Sequence, residues 1–465
     1  MSIRWFLIPL LSAALTGCQT YQPSPPELER HYAAWLNSVP TNDTLASFAA
    51  RIAATADTPA AWTLDDGLNL AEAEALALFG NAELRVARSR AGVTAASAAH
   101  AGLWDDPVLA MDVTRIVSGM ANPWMFMTSI SFTLPVSGRL KTEIALADAG
   151  HAVELHRIAE REWETRMMVR ETWVERAAME HQVETARAYQ AELDALIAIV
   201  DRIEQAGEMT RTAARLFHIE RMKLVNDLNA MEESLTLAAL RLRQLMGLAP
   251  HVTLSPARDL PKPPAPESLP MDATRSLIEH PTLQTLKAMH EAAERTLAHE
   301  IRRQYPDLGV GPGYEYEDEE HRVRVGLMLP LPIFNRNQRA IAEARAERDA
   351  ARVMLETAME TLASDRAQAI ARLHGAAERR RVMEERILPL IDAQFDDARR
   401  IAELGEVDTF MLLETLRQRL EGRLGLIDLI AAEARAGVAL SRLLGPSNTD
   451  DNSAPPSTTE GGASW

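Results

Sequence analysis

The chain has 465 residues, of which 47% are hydrophobic but only 5% are aromatic, and its formal net charge is −17. This composition is typical of long helices with narrow contact seams, not of a thick globular core. The acidic charge argues against nucleic acid as a partner, because neutralising phosphates requires a basic surface, and a single cysteine excludes an internal disulfide.

The first residues have the pattern of a signal peptide over 1–17. Arg4 precedes an apolar run from Trp5 to Leu15, which is too short to span a bilayer. The sequence Leu-Thr-Gly-Cys that ends at Cys18 resembles the lipobox of bacterial lipoproteins. The resemblance implies cleavage before Cys18, covalent lipid on that residue and, with no Asp following it, sorting to the outer membrane. The alternative is a small hydrophobic cysteine near an ordinary cleavage site.

After Cys18, residues 18–61 are rich in Pro, Thr, Ser and Ala, which predicts a tether. A continuous helix is then expected from about Trp62 to Ala101, with Thr63 or Asp65 as its N-cap.

Two stretches, 108–134 and 307–331, predict β-hairpins in a chain that otherwise has helical patterns. Apolar and polar residues alternate strictly in them over about 10 residues, which indicates strands with one apolar and one wetter face. The apolar side of the last predicted strand is formed by Val323, Val325, Leu327, Leu329 and Leu331.

A helix without proline is predicted from 137 to 205 after the first hairpin, and a second helix leads back to Gly247. Between them, Gly207 is expected to end the first helix and Thr210 to cap the second. The proline-rich residues 248–271 are predicted to be a connector.

The same order of elements then recurs. A helix is predicted from Asp272 to Arg303, and the second hairpin follows it. A helix from Asn337 to about Leu404, interrupted only by Pro389, leads to a turn at 405–409. The last helix ends near Gly445, and 446–465 is expected to be disordered.

The chain is therefore an internal duplication, with a first repeat over 62–247 and a second over 272–445. Landmarks recur at offsets of 199, 197, 198 and 198 residues. The paired landmarks are Pro107 with Pro306, Pro135 with Pro332, Gly207 with Gly405, and Gly247 with Gly445.

Four strands of about 10 residues have the length needed to cross an outer membrane at a tilt. Four strands cannot close a barrel, however, and an open sheet edge is not tolerated in hydrocarbon. Several copies would have to combine their strands, so that a dimer, trimer or tetramer would give about 8, 12 or 16 strands.

The order and spacing of several motifs over residues 62–445 resemble the TolC family of outer-membrane efflux factors. The motifs are LPLPIFNRNQRAIAEARAE, the turns EQAGEMT and ELGEVDTF, and the repeat ends RLRQLMG and LSRLLG. The resemblance implies a mainly α fold with a small transmembrane β part, in which three protomers form a 12-stranded β-barrel above a long α-helical barrel. It also implies an outer-membrane channel that works with a periplasmic adaptor and an inner-membrane pump. LPIFNRNQ is most similar to the heavy-metal branch of the family.

The resemblance also assigns candidate site residues. The two helix turns would be periplasmic tips that dock the adaptor. An acidic constriction would follow the second tip, where Glu414 stands at one expected position and Met411 departs from the acidic residue expected at another. The tip residues are Gly207, Glu208, Met209, Thr210, Gly405, Glu406, Val407, Asp408 and Thr409.

Several alternatives remain open. Glu414 is equally compatible with a solvated helix carboxylate. The acidic turn 317–321 could collect cations, although a solvated turn is the simpler interpretation. We find no catalytic constellation and no metal-ligand motif, and we expect no cofactor apart from the lipid. The rival class of protein is a non-channel coiled-coil lipoprotein, acting as a scaffold or adhesin.

Overall fold

The computed structural model describes residues 20–41, 67–118, 124–263, 273–403 and 409–446. The predicted lipidation site Cys18, the cap candidates at 63 and 65, and the tip residues 405–408 lie outside this part of the chain. The described residues up to 39 form one compact unit, and those from 40 onward form another. No helix among the described residues is both long enough and apolar enough to cross a membrane.

The smaller unit contains one described helix, α1 (Leu28–Asn37). It has no buried side chain, and the rings of Tyr32 and Trp35 lie 5.8 Å apart between centroids.

Four helices and two strands are described in the first repeat of the larger unit. Asn69 caps its first helix in a capping box, in which the Asn69 side chain accepts from the Glu72 backbone and the Glu72 carboxylate accepts from Asn69 N–H. The elements are α2 (Leu70–Gly80), α3 (Ala82–Ala99), β1 (Val108–Arg115), β2 (Trp124–Leu134), α4 (Arg139–Gln205) and α5 (Arg211–Leu245).

The second repeat has the same order of elements, with one additional interruption in its long helix. The elements are α6 (Ala273–Ile278), α7 (Pro281–Arg302), β3 (Leu308–Glu317), β4 (Glu320–Met328), α8 (Gln338–Val382), a π-helical turn (Met383–Ile387), α9 (Leu388–Glu403) and α10 (Thr409–Leu444).

The prediction of one unbroken helix before each hairpin was wrong. The first helix breaks at Asn81, whose side-chain oxygen accepts from the N–H groups of Glu83 and Leu84. The second breaks at the matching His280, whose Nδ1 accepts from Thr282 N–H. Each of these side chains caps the following helix, so the chain starts a new helix instead of continuing the old one.

Pro389 affects the long helix of the second repeat as expected, but through a π-helical turn at 383–387 and not through a sharp break. Proline has no N–H to donate and its ring crowds the carbonyl group four residues earlier, and the wider turn accommodates both effects. A second difference is at β4, which ends at Met328, whereas the alternation had predicted strand to residue 331.

The four strands form one antiparallel sheet in the order β1-β2-β3-β4. The central pair joins the two repeats, since β2 pairs with β3 from Met125 opposite Glu317 to Leu134 opposite Leu308. β1 and β4 are therefore the edges of the sheet within one copy of the chain.

The helical core is organised around α4, which packs against α2, α3, α5, α7 and α10. The largest buried cluster lies toward the end of α4 that is far from the sheet, where Leu193 and Phe217 meet Leu416. A second cluster surrounds Trp173, whose indole N–H donates to the carbonyl oxygen of Asp259 at 2.9 Å. The described part of the connector, up to residue 263, thus packs on the side of α4.

The ends of α2 and α5 touch backbone to backbone. A Cβ atom placed on Gly80 would lie 2.1 Å from the carbonyl oxygen of Met246, and one placed on Gly247 would lie 2.0 Å from that of Gly80. Gly247 also has φ of +72°. Only glycine at both positions allows this approach.

Candidate functional site

The register of the sheet separates its residues into two chemically different faces. Directly paired residues point to the same side, so the pairs Val113–Phe126, Phe126–Tyr316 and Tyr316–His321 lie on one face. The same face also holds Arg115, Thr128 and His321, but most of its residues are apolar. These apolar residues include Leu109, Met111, Val113, Trp124, Phe126, Ile130, Phe132, Val310, Pro312, Tyr314, Tyr316, Val323, Val325 and Leu327. The predicted alternation is confirmed.

The opposite, polar face carries a network of ion pairs across β3 and β4. Glu315 is only 7% exposed, and its carboxylate accepts from the guanidinium of Arg324 at 2.7 Å. Arg322 also lies within ion-pair distance of Glu315. The burial of a charged carboxylate is compensated here by two cations.

Arg322 further binds the acidic turn. Its guanidinium donates to Glu317 and to Glu320, both at 2.8 Å. Two carboxylates of this turn are thus paired within the chain. Among the described residues, no group of three or more possible metal-binding side chains was found.

Aromatic and basic side chains lie together at the turn end of the apolar face. The Tyr314 hydroxyl is hydrogen-bonded to His321 Nδ1, and the guanidinium of Arg115 lies 5.6 Å from the ring centre of Trp124. Trp104 and Tyr305 are exposed near the other end of the strands. Aromatic side chains at both ends of an apolar band are typical of membrane-spanning sheets.

Hydrogen bonds fix the junction between strands and helices. Asp307 accepts from the Ser137 hydroxyl at 2.7 Å and from Arg139 Nε at 2.5 Å, and Arg139 also donates to Asp105 at 2.6 Å. Burial alone would raise the pKa of Asp307, but the hydrogen bonds from Ser137 and Arg139 outweigh it and lower the pKa. This contact joins the start of α4 to the start of β3, that is, the first repeat to the second.

The predicted turn after α4 is a Schellman motif. Glu208 N–H donates to the carbonyl oxygen of Ile203 at 3.1 Å, and Gly207 has the left-handed φ of +79° that this motif requires. The Thr210 hydroxyl caps α5 by accepting from Ala213 N–H. Met209 packs against the buried cluster beside it, whereas Gly207 and Glu208 are exposed.

Glu414 lies one turn and a half into α10 and is half-buried. Its carboxylate accepts from Gln418 at 3.0 Å and from Arg417, and these hydrogen bonds lower the pKa of Glu414. Met411 is 47% exposed on the preceding turn. Arg417 was not among the residues predicted for the site, although its i, i+3 spacing from Glu414 indicates the ion pair. Of the second tip, only Thr409 is described, as the first residue of α10.

The second repeat matches the model of a known family. Residues 273–446 match the model of the outer membrane efflux protein family. No curated protein sequence matches the chain.

The fold resembles several solved structures of membrane channels. CmeC, an outer membrane channel of Campylobacter jejuni, is 12% identical with a TM-score of 0.69, covering 94% of this chain and 95% of that one. The MtrE outer membrane channel of Neisseria gonorrhoeae is 15% identical with a TM-score of 0.67, covering 83% and 91%. CusC, whose structures concern transmembrane channel formation, is 17% identical with a TM-score of 0.68, covering 81% and 92%.

Proposed function

We propose that this chain is the outer-membrane channel of a tripartite efflux system, because residues 273–446 match the model of the outer membrane efflux protein family. It passes substrate from an inner-membrane pump and a periplasmic adaptor to the exterior.

The observation that carries the proposal is the four-stranded sheet with one apolar face and two open edges. Open sheet edges are unfavourable both in water and in lipid, whereas exposed aliphatic rows are unfavourable in water and are stabilised by contact with lipid. Three copies that join β1 of one chain to β4 of the next would form a closed barrel of about 12 strands, with the apolar face toward lipid and the ion-paired face toward the lumen. A homotrimer therefore satisfies both features.

The proposal also covers attachment and docking, which rest on the resemblance of the sequence to bacterial lipoproteins and to the TolC family. Cys18 carries the covalent lipid that anchors the mature N-terminus to the bacterial outer membrane. The tips at 207–210 and 405–409 dock the adaptor in the periplasm, and the exposed Glu208 in its rigid Schellman turn is available to such a partner.

The constriction is assigned to the first turns of α10. Three copies of Glu414 and Met411 near the tips would narrow the pore, and confined like charges attract cations. The ion pair between Glu414 and Arg417 supports a weaker cation preference than a ring of unpaired carboxylates would give.

Heavy-metal cations are the substrate class that the LPIFNRNQ motif favours. Growth of a deletion strain on copper, zinc, cobalt and cadmium salts, compared with growth on dyes and detergents, tests this assignment. Sensitivity to organic compounds alone would contradict it.

The channel itself is tested by separating outer-membrane fractions on gels without boiling and by recording the purified protein in planar bilayers. We expect heat-resistant trimers and discrete conductance steps. A monomer that gives no conductance would favour the coiled-coil scaffold or adhesin instead.

A further inference from the structure

The apolar stripe of β4 continues beyond the end of the sheet. β4 ends at Met328, yet Leu331 is 67% exposed, Ile333 60% and Phe334 96%. A nearly fully exposed phenylalanine next to exposed aliphatic side chains indicates a surface that contacts an apolar partner.

This loop (331–337, here called the junction loop) is held in an unusual conformation. Arg336 and Asn337 both have positive φ, 46° and 53°. The Asn337 side-chain amide donates to the backbone carbonyl of Glu300 at 2.9 Å and to its carboxylate at 2.7 Å. Non-glycine residues adopt left-handed backbone only at a conformational cost. The hydrogen bonds from Asn337 to Glu300, near the end of α7, therefore stabilise a loop conformation that the loop alone would not favour.

The first repeat shows what the junction loop adds. The same tight turn occurs in both repeats, with Val136 N–H donating to Leu134 and Ile333 N–H donating to Leu331, each at 2.8 Å. Leu331 follows Leu134 by 197 residues, but the helix start Gln338 follows Arg139 by 199 residues. The junction loop therefore contains two more residues than its counterpart.

These extra residues coincide with a change in what the turn presents. At the position of Phe334, the first repeat has Ser137, which points back to Asp307 at 2.7 Å. The second repeat presents an exposed aromatic ring there instead.

Basic side chains surround the junction loop, although the whole chain carries a net charge of −17. Arg303 is paired with Glu300 at 2.9 Å and Arg339 with Glu343 at 2.8 Å. Within the described part of the chain, the exposed Arg302 and Arg336 form no ion pair with a carboxylate. Arg336 belongs to the junction loop, where its Nε donates to the carbonyl oxygen of Pro332 at 3.2 Å without its charge being neutralised. Arg302 is the last residue of α7, two residues beyond the Glu300 that binds Asn337 of the loop.

We propose that the junction loop is a membrane-interface anchor that binds an anionic phospholipid in the leaflet nearest the helices. Ile333 and Phe334 enter the acyl region, and Arg302 and Arg336 bind the headgroup phosphate. This inference rests on the proposed function, in which β4 crosses the outer membrane. The continuity with the lipid-facing stripe of β4 and the uncompensated positive charge favour a phospholipid over a second copy of the chain. Guanidinium groups bind phosphate through paired hydrogen bonds.

The insertion is tested with the variant Phe334→Cys, labelled with bimane and reconstituted as the full-length protein in vesicles. We expect quenching by brominated phosphatidylglycerol and protection from aqueous iodide. The unsubstituted protein reports any labelling of Cys18. Leu327→Cys serves as the control, since Leu327 lies on the same stripe within the sheet and is 73% exposed.

The outcomes separate the two proposals. If the label at 327 is not quenched by brominated lipid, the membrane-spanning sheet is wrong. If the label at 327 is quenched but the label at 334 responds only to iodide, the loop lies in water. If the label at 334 responds to neither quencher, a second copy covers it. The last two results overturn the anchor alone.

The headgroup contact is tested by combining Arg302→Gln and Arg336→Gln with the bimane label. In the parent protein, brominated phosphatidylglycerol should quench more effectively than brominated phosphatidylcholine, with a preference of about fivefold for each guanidinium. The double variant should lose this preference while the label stays protected from iodide.

The matched control is Arg295→Gln, which removes an exposed arginine seven residues earlier on α7. It should leave the lipid preference unchanged. An unchanged preference in the double variant, or an equal loss in the control, would rule out a headgroup site at Arg302 and Arg336.

Discussion

Single polar side chains join the two halves of each repeat, and Asn81 and His280 are the clearest case. The Asn81 amide donates to the carbonyl oxygen of Leu245 while its oxygen caps α3. His280 does the same with imidazole, since Nε2 lies 3.0 Å from the carbonyl oxygen of Arg442 and Nδ1 accepts from Thr282. A carbonyl can only accept, so His280 is neutral with its hydrogen on Nε2.

This arrangement predicts a pH-dependent stability. Burial lowers the pKa of His280 below its ordinary value of 6.5. As the pH falls through about 6.5, the unfolded chain takes up a proton that the folded ring resists, so stability present above that pH is lost. Thermal unfolding of the helices, followed by circular dichroism at pH 7.5 and 5.5, should show a larger decrease for the parent protein than for His280→Asn.

His280→Asn is the matched change because asparagine makes both hydrogen bonds at the equivalent Asn81. His280→Ala should instead destabilise the protein at every pH, by about 1–3 kcal/mol, because it leaves a buried carbonyl with one donor fewer. Equal pH dependence in the parent and the asparagine variant would show that another group titrates.

A second residue-scale prediction concerns the constriction proposed at Glu414. Glu414→Ala should weaken cation preference and cation block of the purified channel in planar bilayers, because three carboxylates would be removed from a narrow passage. Glu421→Ala is the control, since Glu421 lies one heptad further along and approaches the same Arg417 at 3.7 Å. Unchanged selectivity in Glu414→Ala would place the constriction elsewhere.

At the scale of elements, the close contact between α2 and α5 depends on glycine. Gly80→Ala should destabilise the protein by about 1–3 kcal/mol, because the new methyl group would meet backbone atoms that cannot rotate away. Gly92→Ala on α3 meets nothing within 4 Å and should be neutral or stabilise by about 1 kcal/mol. The two unfolding temperatures should therefore move apart, and a parallel shift would contradict the packing described here.

The elements that could be predicted from the sequence are those with a local period. The alternation in β4 identified both faces of the sheet, and Gly207 and Thr210 marked the turn after α4 because their preferences are local. The helix breaks have local signals as well, since Asn81 is a preferred N-cap residue and Pro281, after His280, is the first residue of α7. The long-range hydrogen bonds of Asn81 and His280 could not be predicted in this way. Their partners, Leu245 and Arg442, lie 164 and 162 residues away in the sequence.

The contacts of the candidate site likewise divide into local ones, which the sequence indicates, and long-range ones, which it does not. The i, i+3 pair of Glu414 and Arg417 was available in the sequence. The contact of Asp307 with Arg139 was not, because it spans 168 residues and depends on how β2 pairs with β3. Contacts that join the two repeats can therefore be identified only from the three-dimensional structure.

At the scale of the whole molecule, the sheet has one apolar and one polar face, but its two edge strands, β1 and β4, are unpaired within one copy of the chain. Leu327 and Met328 are neighbours on β4 with nearly equal exposure in one copy of the chain, 73% and 70%. Leu327 pairs with Val310 on the apolar face, whereas Met328 pairs with Gly309 on the polar face. If both faces of the sheet were in water, an arginine at position 327 and an arginine at position 328 should have the same effect on stability.

A membrane would distinguish them. Leu327→Arg places three cations against lipid in a trimer and should cost up to about 2–4 kcal/mol per chain, depending on its depth in the bilayer. Met328→Arg places them in a water-filled lumen that already holds Arg322 and Arg324, so assembly should survive. The measurement is the fraction of heat-resistant trimer recovered from outer-membrane extracts of each variant. Equal recovery would mean that the apolar face does not contact lipid, because the two adjacent side chains have nearly equal exposure and differ in the face on which they lie.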